Sequence, residues 1–103
     1  VTTIYRDIDS EDVRVKRDRT LATKFRPGER VWMVGEQYDA VFNTWRIDVV
    51  RMGKQGQWMR QRYTYDVPTG VVYFFGERPL SDEEFALVRR TGKPFPAGSR
   101  GDA

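Results

Sequence analysis

Apolar and polar residues alternate most strictly over residues 44–52, where Trp45, Ile47 and Val49 fall on one side and Arg46, Asp48 and Val50 on the other. A period of two marks a strand with one buried face. Residues 58–66 and 71–75 are also rich in β-branched and aromatic side chains. Two glycine-containing turns, Gly53-Lys54-Gln55-Gly56 and Val67-Pro68-Thr69-Gly70, separate the three segments. Upstream, Pro27-Gly28 signals another turn, and the run Val31, Trp32, Met33, Val34 behind it predicts a short buried strand ending at Gly35. Residues 36–43 then read as a loop.

Loop length decides which side chains share a face, because a shift of one residue exchanges the two faces of a strand. A two-residue loop at Lys54-Gln55 sets Ile47 opposite Arg62 and Val49 opposite Arg60, which puts two arginines in the core. A three-residue loop places Gly56 where the turn needs a left-handed residue, and it sets Trp45 opposite Tyr65, Ile47 opposite Tyr63 and Val49 opposite Gln61. The second register is the one a core can use. The same loop at Pro68-Thr69-Gly70 brings Tyr65 against Tyr73 and Tyr63 against Phe75. The predicted core face is therefore Trp45, Ile47, Val49, Tyr63, Tyr65, Val71, Tyr73 and Phe75. The opposite face carries Arg46, Asp48, Val50, Met52, Trp58, Arg60, Arg62, Thr64, Val72 and Phe74.

After Gly76 the period changes. Ser81 and Glu84 have the spacing of a capping box, and Leu80 and Phe85 that of a hydrophobic staple. Asp82 and Glu83 suit the positive start of a helix dipole, Arg89 and Arg90 its negative end, and Gly92 a stop. A helix is predicted over 82–90. It is too short to stand alone, so Phe85 and Val88 must dock on the sheet. No repeat or linker divides the chain. The expectation is one mainly β domain over 20–93, a small antiparallel meander or partly open barrel with one short C-terminal helix. A polar, flexible arm is expected over 1–19 and an extended, Pro- and Gly-rich tail over 94–103.

Composition narrows the chemistry. In 103 residues there is neither cysteine nor histidine, which removes disulfides, thiolate nucleophiles, imidazole bases and the commonest zinc ligands together. No spacing of carboxylates suggests a metal, no phosphate loop or cofactor motif is present, and no apolar run approaches the ~20 residues that span a bilayer. A non-enzymatic binding module without cofactor, metal or membrane, located in the cytoplasm, is the expectation. Charge is uneven along the chain. Residues 1–12 are acidic, whereas residues 13–30 hold seven cations against Asp18 and Glu29. Fourteen of the 18 cations are arginine, which favours bidentate phosphate contacts and stacking on rings.

Three candidate sites follow, each with a purely structural alternative. On the non-core face, Arg46, Trp58, Arg60, Arg62 and Phe74 interleave guanidinium groups with rings, as single-stranded nucleic acid binding requires. Alternatively, Asp48 pairs with Arg62 across the strands while Trp58 and Phe74 are covered by a neighbouring element. The basic segment, with Arg14, Lys16, Arg17 and Arg19, could follow a phosphate backbone or an acidic protein groove, or be a solvated arm. In Lys93-Pro94-Phe95-Pro96, Phe95 could anchor in a partner, since flanking prolines reduce the ordering cost, or simply cover the chain's own core.

Two local resemblances add expectations. The stretch "FRPGERVWMV", Phe25 to Val34, resembles the opening turn and strand of many SH3-like barrels, which implies a barrel-like fold. Arg60, Arg62, Tyr63 and Tyr65 resemble, over that hairpin alone, bacterial messenger-RNA-cleaving toxins, which implies a histidine-free ribonuclease. Those toxins typically begin with helices, whereas this chain reads as strands. Nucleic acid is thus the first expected partner, a larger protein assembly the second, and RNA as a substrate the third.

Overall fold

The hairpin between residues 44 and 66 forms in the predicted register. A computed structural model describes residues 11–95, with elements α1 (Glu11–Ala22), β1 (Trp32–Asp39), β2 (Thr44–Met52), β3 (Trp58–Asp66), β4 (Val71–Pro79), α2 (Asp82–Thr91) and β5 (Lys93–Pro94). Trp45 pairs with Tyr65, Ile47 with Tyr63 and Asp48 with Arg62. Gly56 sits at φ +76°, where a residue with a Cβ is strained, and this fixes the three-residue loop. All strand pairs are antiparallel, and the order β4-β3-β2-β1-β5 makes one open sheet. Over the described residues the protein is a mainly β meander with two short helices.

The second turn differs from the prediction by one residue. Asp66 pairs with Val71, so the loop holds four residues, and Tyr65 meets Val72 while Tyr63 meets Phe74. Two interactions draw Val67 out of the ladder. Its N–H is donated to the Asn43 carbonyl, and the Asp66 carboxylate accepts from the Thr69 N–H and hydroxyl, which closes the turn on Asp66. A bulge at Phe75 then restores the expected register, with Arg62 opposite Gly76 and Arg60 opposite Arg78. Val72 is consequently buried, whereas Val71, Tyr73 and Phe75, predicted for the core, lie on or beside the other face and are exposed.

β1 is longer than its apolar run suggested. A bulge between Met33 and Gly35 carries it through to Asp39, and the predicted loop shrinks to residues 40–43. Beyond the bulge Glu36 and Tyr38 point to the core face, where Glu36 meets Arg17 and Tyr38 packs on Trp45 with ring centroids 5.3 Å apart.

Residues 11–19 of the expected flexible arm belong to α1, and residues 1–10 lie outside the described residues. α1 packs on the core face, where Leu21 and Ala22 join Phe25, Val31, Trp45, Ile47, Val49, Tyr63, Tyr65, Val72 and Phe95. Arg17 sits one helical turn before Leu21 and is 1% exposed. Its guanidinium lies 4.8 Å from the Trp45 ring centroid and pairs with Asp18 and Glu36. Burial pushes the Asp18 carboxyl above its usual range despite the neighbouring Arg17.

α2 forms as predicted, one residue longer, with both halves of the capping box made. The Ser81 N–H, ahead of the Arg78 guanidinium, holds the Glu84 carboxyl below the usual range. The helix crosses the opposite face of the sheet at one end only. Phe85 stacks on Trp58 at 4.2 Å and meets Trp32 edge-on at 5.5 Å, above a Val50 with no exposure. Among the described residues nothing covers the other end of that face.

Candidate functional site

At the centre of the open half is Asp48, whose side chain is 7% exposed. A buried carboxylate without partners would be costly, and two arginines on β3 supply them. Arg62 donates Nε to Oδ1 at 2.9 Å and Nη2 to Oδ2 at 3.1 Å, while Arg60 donates Nη2 to Oδ2 at 2.9 Å. Burial acts to raise the Asp48 carboxyl, but hydrogen bonds and charge from Arg62 and Arg60 outweigh it and hold the group below the usual range. Gly35 makes room for the triad, because a Cβ there would come within 3.3 Å of the Asp48 Cβ. Asp48 thus fixes two guanidinium groups that remain about a third open to solvent.

The depressed value of Asp48 fixes the sign of a pH effect. A carboxylate whose folded value lies below its unfolded one stabilises the fold above the unfolded value, ~3.9, and the contribution is lost as pH falls through the lower folded one. Asp48→Asn should therefore lower stability by a constant amount, about 1 kcal/mol, between pH 7 and pH 5. Denaturant titrations of both proteins should converge towards pH 2. A gap that widens in acid would contradict the assignment.

Around the triad, β4 contributes what the sequence reading had placed elsewhere. The bulge turns Phe75 towards the arginines, and Phe75, Gly76, Glu77 and Arg78 join Asp48, Arg60 and Arg62 in lining a shallow cleft of ≈320 Å³. Tyr73 lies one strand position away on the same face, opposite Thr64. The Tyr73 and Phe75 rings are 56% and 69% exposed, and no atom comes within 4 Å of where a Gly76 Cβ would stand. Arg46 lies on this face and hydrogen-bonds Gln37, and Arg78 pairs with Glu84 at 3.1 Å. Three guanidinium groups, those of Arg60, Arg62 and Arg78, line the cleft with the two carboxylates of Asp48 and Glu77, a surplus of one.

Of the residues singled out from sequence, Arg60 and Arg62 come together at this site, and Arg46 lies on the same face with its guanidinium bonded to Gln37 of β1. Trp58 does not, because Phe85 covers one face of its ring. Phe74 lies on the other side of the sheet, edge-on to Tyr63 at 5.5 Å. Phe95 is 6% exposed and packs on Phe25 at 5.5 Å, so it closes the chain's own core rather than a partner's pocket. Arg17 is buried beneath α1, and Arg14, Lys16 and Arg19 are exposed on that helix, across the sheet from Asp48. The hairpin that resembles ribonuclease toxins is divided, since Tyr63 and Tyr65 are buried in the core face while Arg60 and Arg62 lie on the opposite one.

Tyr73, Phe75 and Arg78 were missed by sequence reading. Arg78 was legible, because continuing the Arg62–Gly76 register by two residues sets it beside Arg60. The two rings were not, since their placement depends on a turn closed by side chains. Among the described residues no group of three or more acidic side chains could hold a metal ion, and no helix is long and apolar enough to cross a membrane. Compared with protein-family models, curated proteins and solved structures, the chain finds no match.

Proposed function

We propose that the open half of the sheet binds single-stranded nucleic acid, with bases on Tyr73 and Phe75 and phosphates on Arg60, Arg62, Arg78 and Arg46. The observation that carries this is two rings more than half exposed, next to guanidinium groups already fixed by a buried carboxylate. Rings accept any base face, and fixed guanidinium groups lose little freedom on meeting a phosphate, so binding with weak sequence preference follows. α1 adds Arg14, Lys16 and Arg19 only as a long-range field from the other side.

The test is retention of labelled single-stranded RNA and DNA across a salt series. With about three phosphates neutralised, log K should fall with log salt at a slope near −2. Phe75→Ala should weaken binding ~5- to 150-fold, the range of one lost base stack. Arg62→Ala should weaken it and flatten the slope by about one phosphate. Absence of retention on either polymer at low salt would remove the proposal.

One observation favours a protein partner as the second reading: the apolar first half of β4 lies along a sheet edge that no described residue pairs with. A stable protein co-purifying from native extract after nuclease treatment would support it.

A further inference from the structure

A glycine inside a strand loosens it, so its presence has a cause: a left-handed backbone, another part of the chain pressed close, or a ligand that approaches the backbone. Among the described residues, Gly28, Gly56 and Gly70 have positive φ, and at Gly35, Gly53 and Gly92 a Cβ would press on neighbouring atoms. Gly76 of β4 has neither cause. Its φ is not positive, so the Phe75 bulge does not demand glycine, and no atom lies within 4 Å of where its Cβ would stand. The third cause remains.

Gly76 pairs with Arg62 and lines the cleft with Arg60, Arg62 and Arg78. A side chain there would project into the cleft beside the Arg62 guanidinium. Arg60 and Arg62 each bring Nη2 to the same oxygen of Asp48, Oδ2, at 2.9 and 3.1 Å, so the two groups stand close enough to share one anion. Asp48 engages Nη2 of Arg60 and both Nε and Nη2 of Arg62, and each guanidinium keeps further N–H donors. Donors from two separate groups suit the several oxygens of a phosphate, whereas a planar carboxylate is satisfied by one fork. Resting on the reading of this face as a single-strand binder, we propose that Gly76 is bare because one internal phosphodiester of the strand seats over it, shared by Arg60 and Arg62. The excess of one positive charge in the cleft matches the single charge of a diester. Arg78 and Arg46 are left for neighbouring phosphates. Phosphate entry, not base identity, is what position 76 controls.

Gly76→Ala and Gly76→Val in the whole chain test this with a labelled single-stranded oligonucleotide and with inorganic phosphate. Both variants should melt no lower than wild type, since the space beside Gly76 is empty and a strand favours a residue with a Cβ. Gly76→Val should bind the oligonucleotide ~10-fold more weakly or worse, the scale of hydrogen bonds to a charged group, with Gly76→Ala in between. Its salt slope should flatten by ~0.7, one phosphate of a single strand. Adding Gly76→Val to Arg62→Ala should cost little more, because that phosphate contact is already lost. Inorganic phosphate should shift the Arg60 and Arg62 Nε–H signals of the wild type and leave those of Gly76→Val in place.

Wild-type affinity in Gly76→Val would overturn the proposal and leave the single-strand reading standing. A weaker complex with an unchanged salt slope would overturn it too, by making position 76 a base contact. So would a variant that melts lower than wild type, by making the position a packing site for the chain itself. Phosphate binding that Gly76→Val abolishes, without any oligonucleotide binding, would support the oxyanion site and remove the single-strand reading. No binding of either probe would remove both.

Discussion

Replacing Arg17 with alanine should cost the fold about 3 kcal/mol, the low end of the range for breaking a buried ion pair. The low end applies because Asp18 and Glu36 keep about a quarter of their side-chain surface in water and are not stranded by the loss. The cost arises from two sources. The guanidinium is lost from the Trp45 ring, and the aliphatic stem is lost from the layer between α1 and the sheet. For a domain of this size the change corresponds to a fall in Tm of roughly 12 to 24 °C, measurable by calorimetry. Arg17→Met keeps the volume and removes the buried charge, so it should recover most of the loss. Equal stability of the alanine variant and wild type would mean that α1 does not depend on this contact.

Phe85→Ala should cost about 2 to 3 kcal/mol and release α2 from the sheet, less than a fully buried phenylalanine because this ring is only partly enclosed. Phe85 lies against both Trp32 and Trp58, so losing it should expose two of the three tryptophans to water. Tryptophan emission is the direct readout, and it should shift to longer wavelength even under conditions where the sheet remains folded. Trp45, on the other face beneath Arg17, should not contribute. An unshifted spectrum would contradict the account of how α2 is held.

Legibility in the sequence followed the physics of each element. The first hairpin was readable because only one loop length kept arginines out of the core, and Gly56 supplied the backbone that loop needs. Helix α2 was readable because its cap, charges and stop are all local signals. The second hairpin was not, since its register depends on Asn43 and Asp66, one from a distant turn and one through its side chain. α1 was invisible for a different reason. Its inward row is Val13, Arg17 and Leu21, and an arginine at the centre of that row breaks the apolar stripe by which amphipathic helices are recognised. The continuation of β1 was hidden likewise, because the residue meeting Arg17 from the sheet is Glu36. A buried arginine and the partly exposed glutamate that pairs with it each read, one at a time, as surface.

The same limits shaped the site. Arg46, Arg60 and Arg62 were found because strand parity placed them together, and Asp48 was found as the cross-strand partner of Arg62. That it also takes Arg60 depends on diagonal reach along β3, which pairing alone does not give. Tyr73 and Phe75 changed faces with the register of β4. The idea of arginines beside rings carries over, with two different rings.

The most direct test of the binding proposal is a titration of the isotope-labelled protein with a short single-stranded oligonucleotide, followed residue by residue by NMR. Amide and side-chain signals of Arg60, Arg62, Tyr73, Phe75 and Arg78 should move together and saturate, while those of α1 stay in place. Shifts confined to Arg14, Lys16 and Arg19, or none at all at low salt, would contradict it.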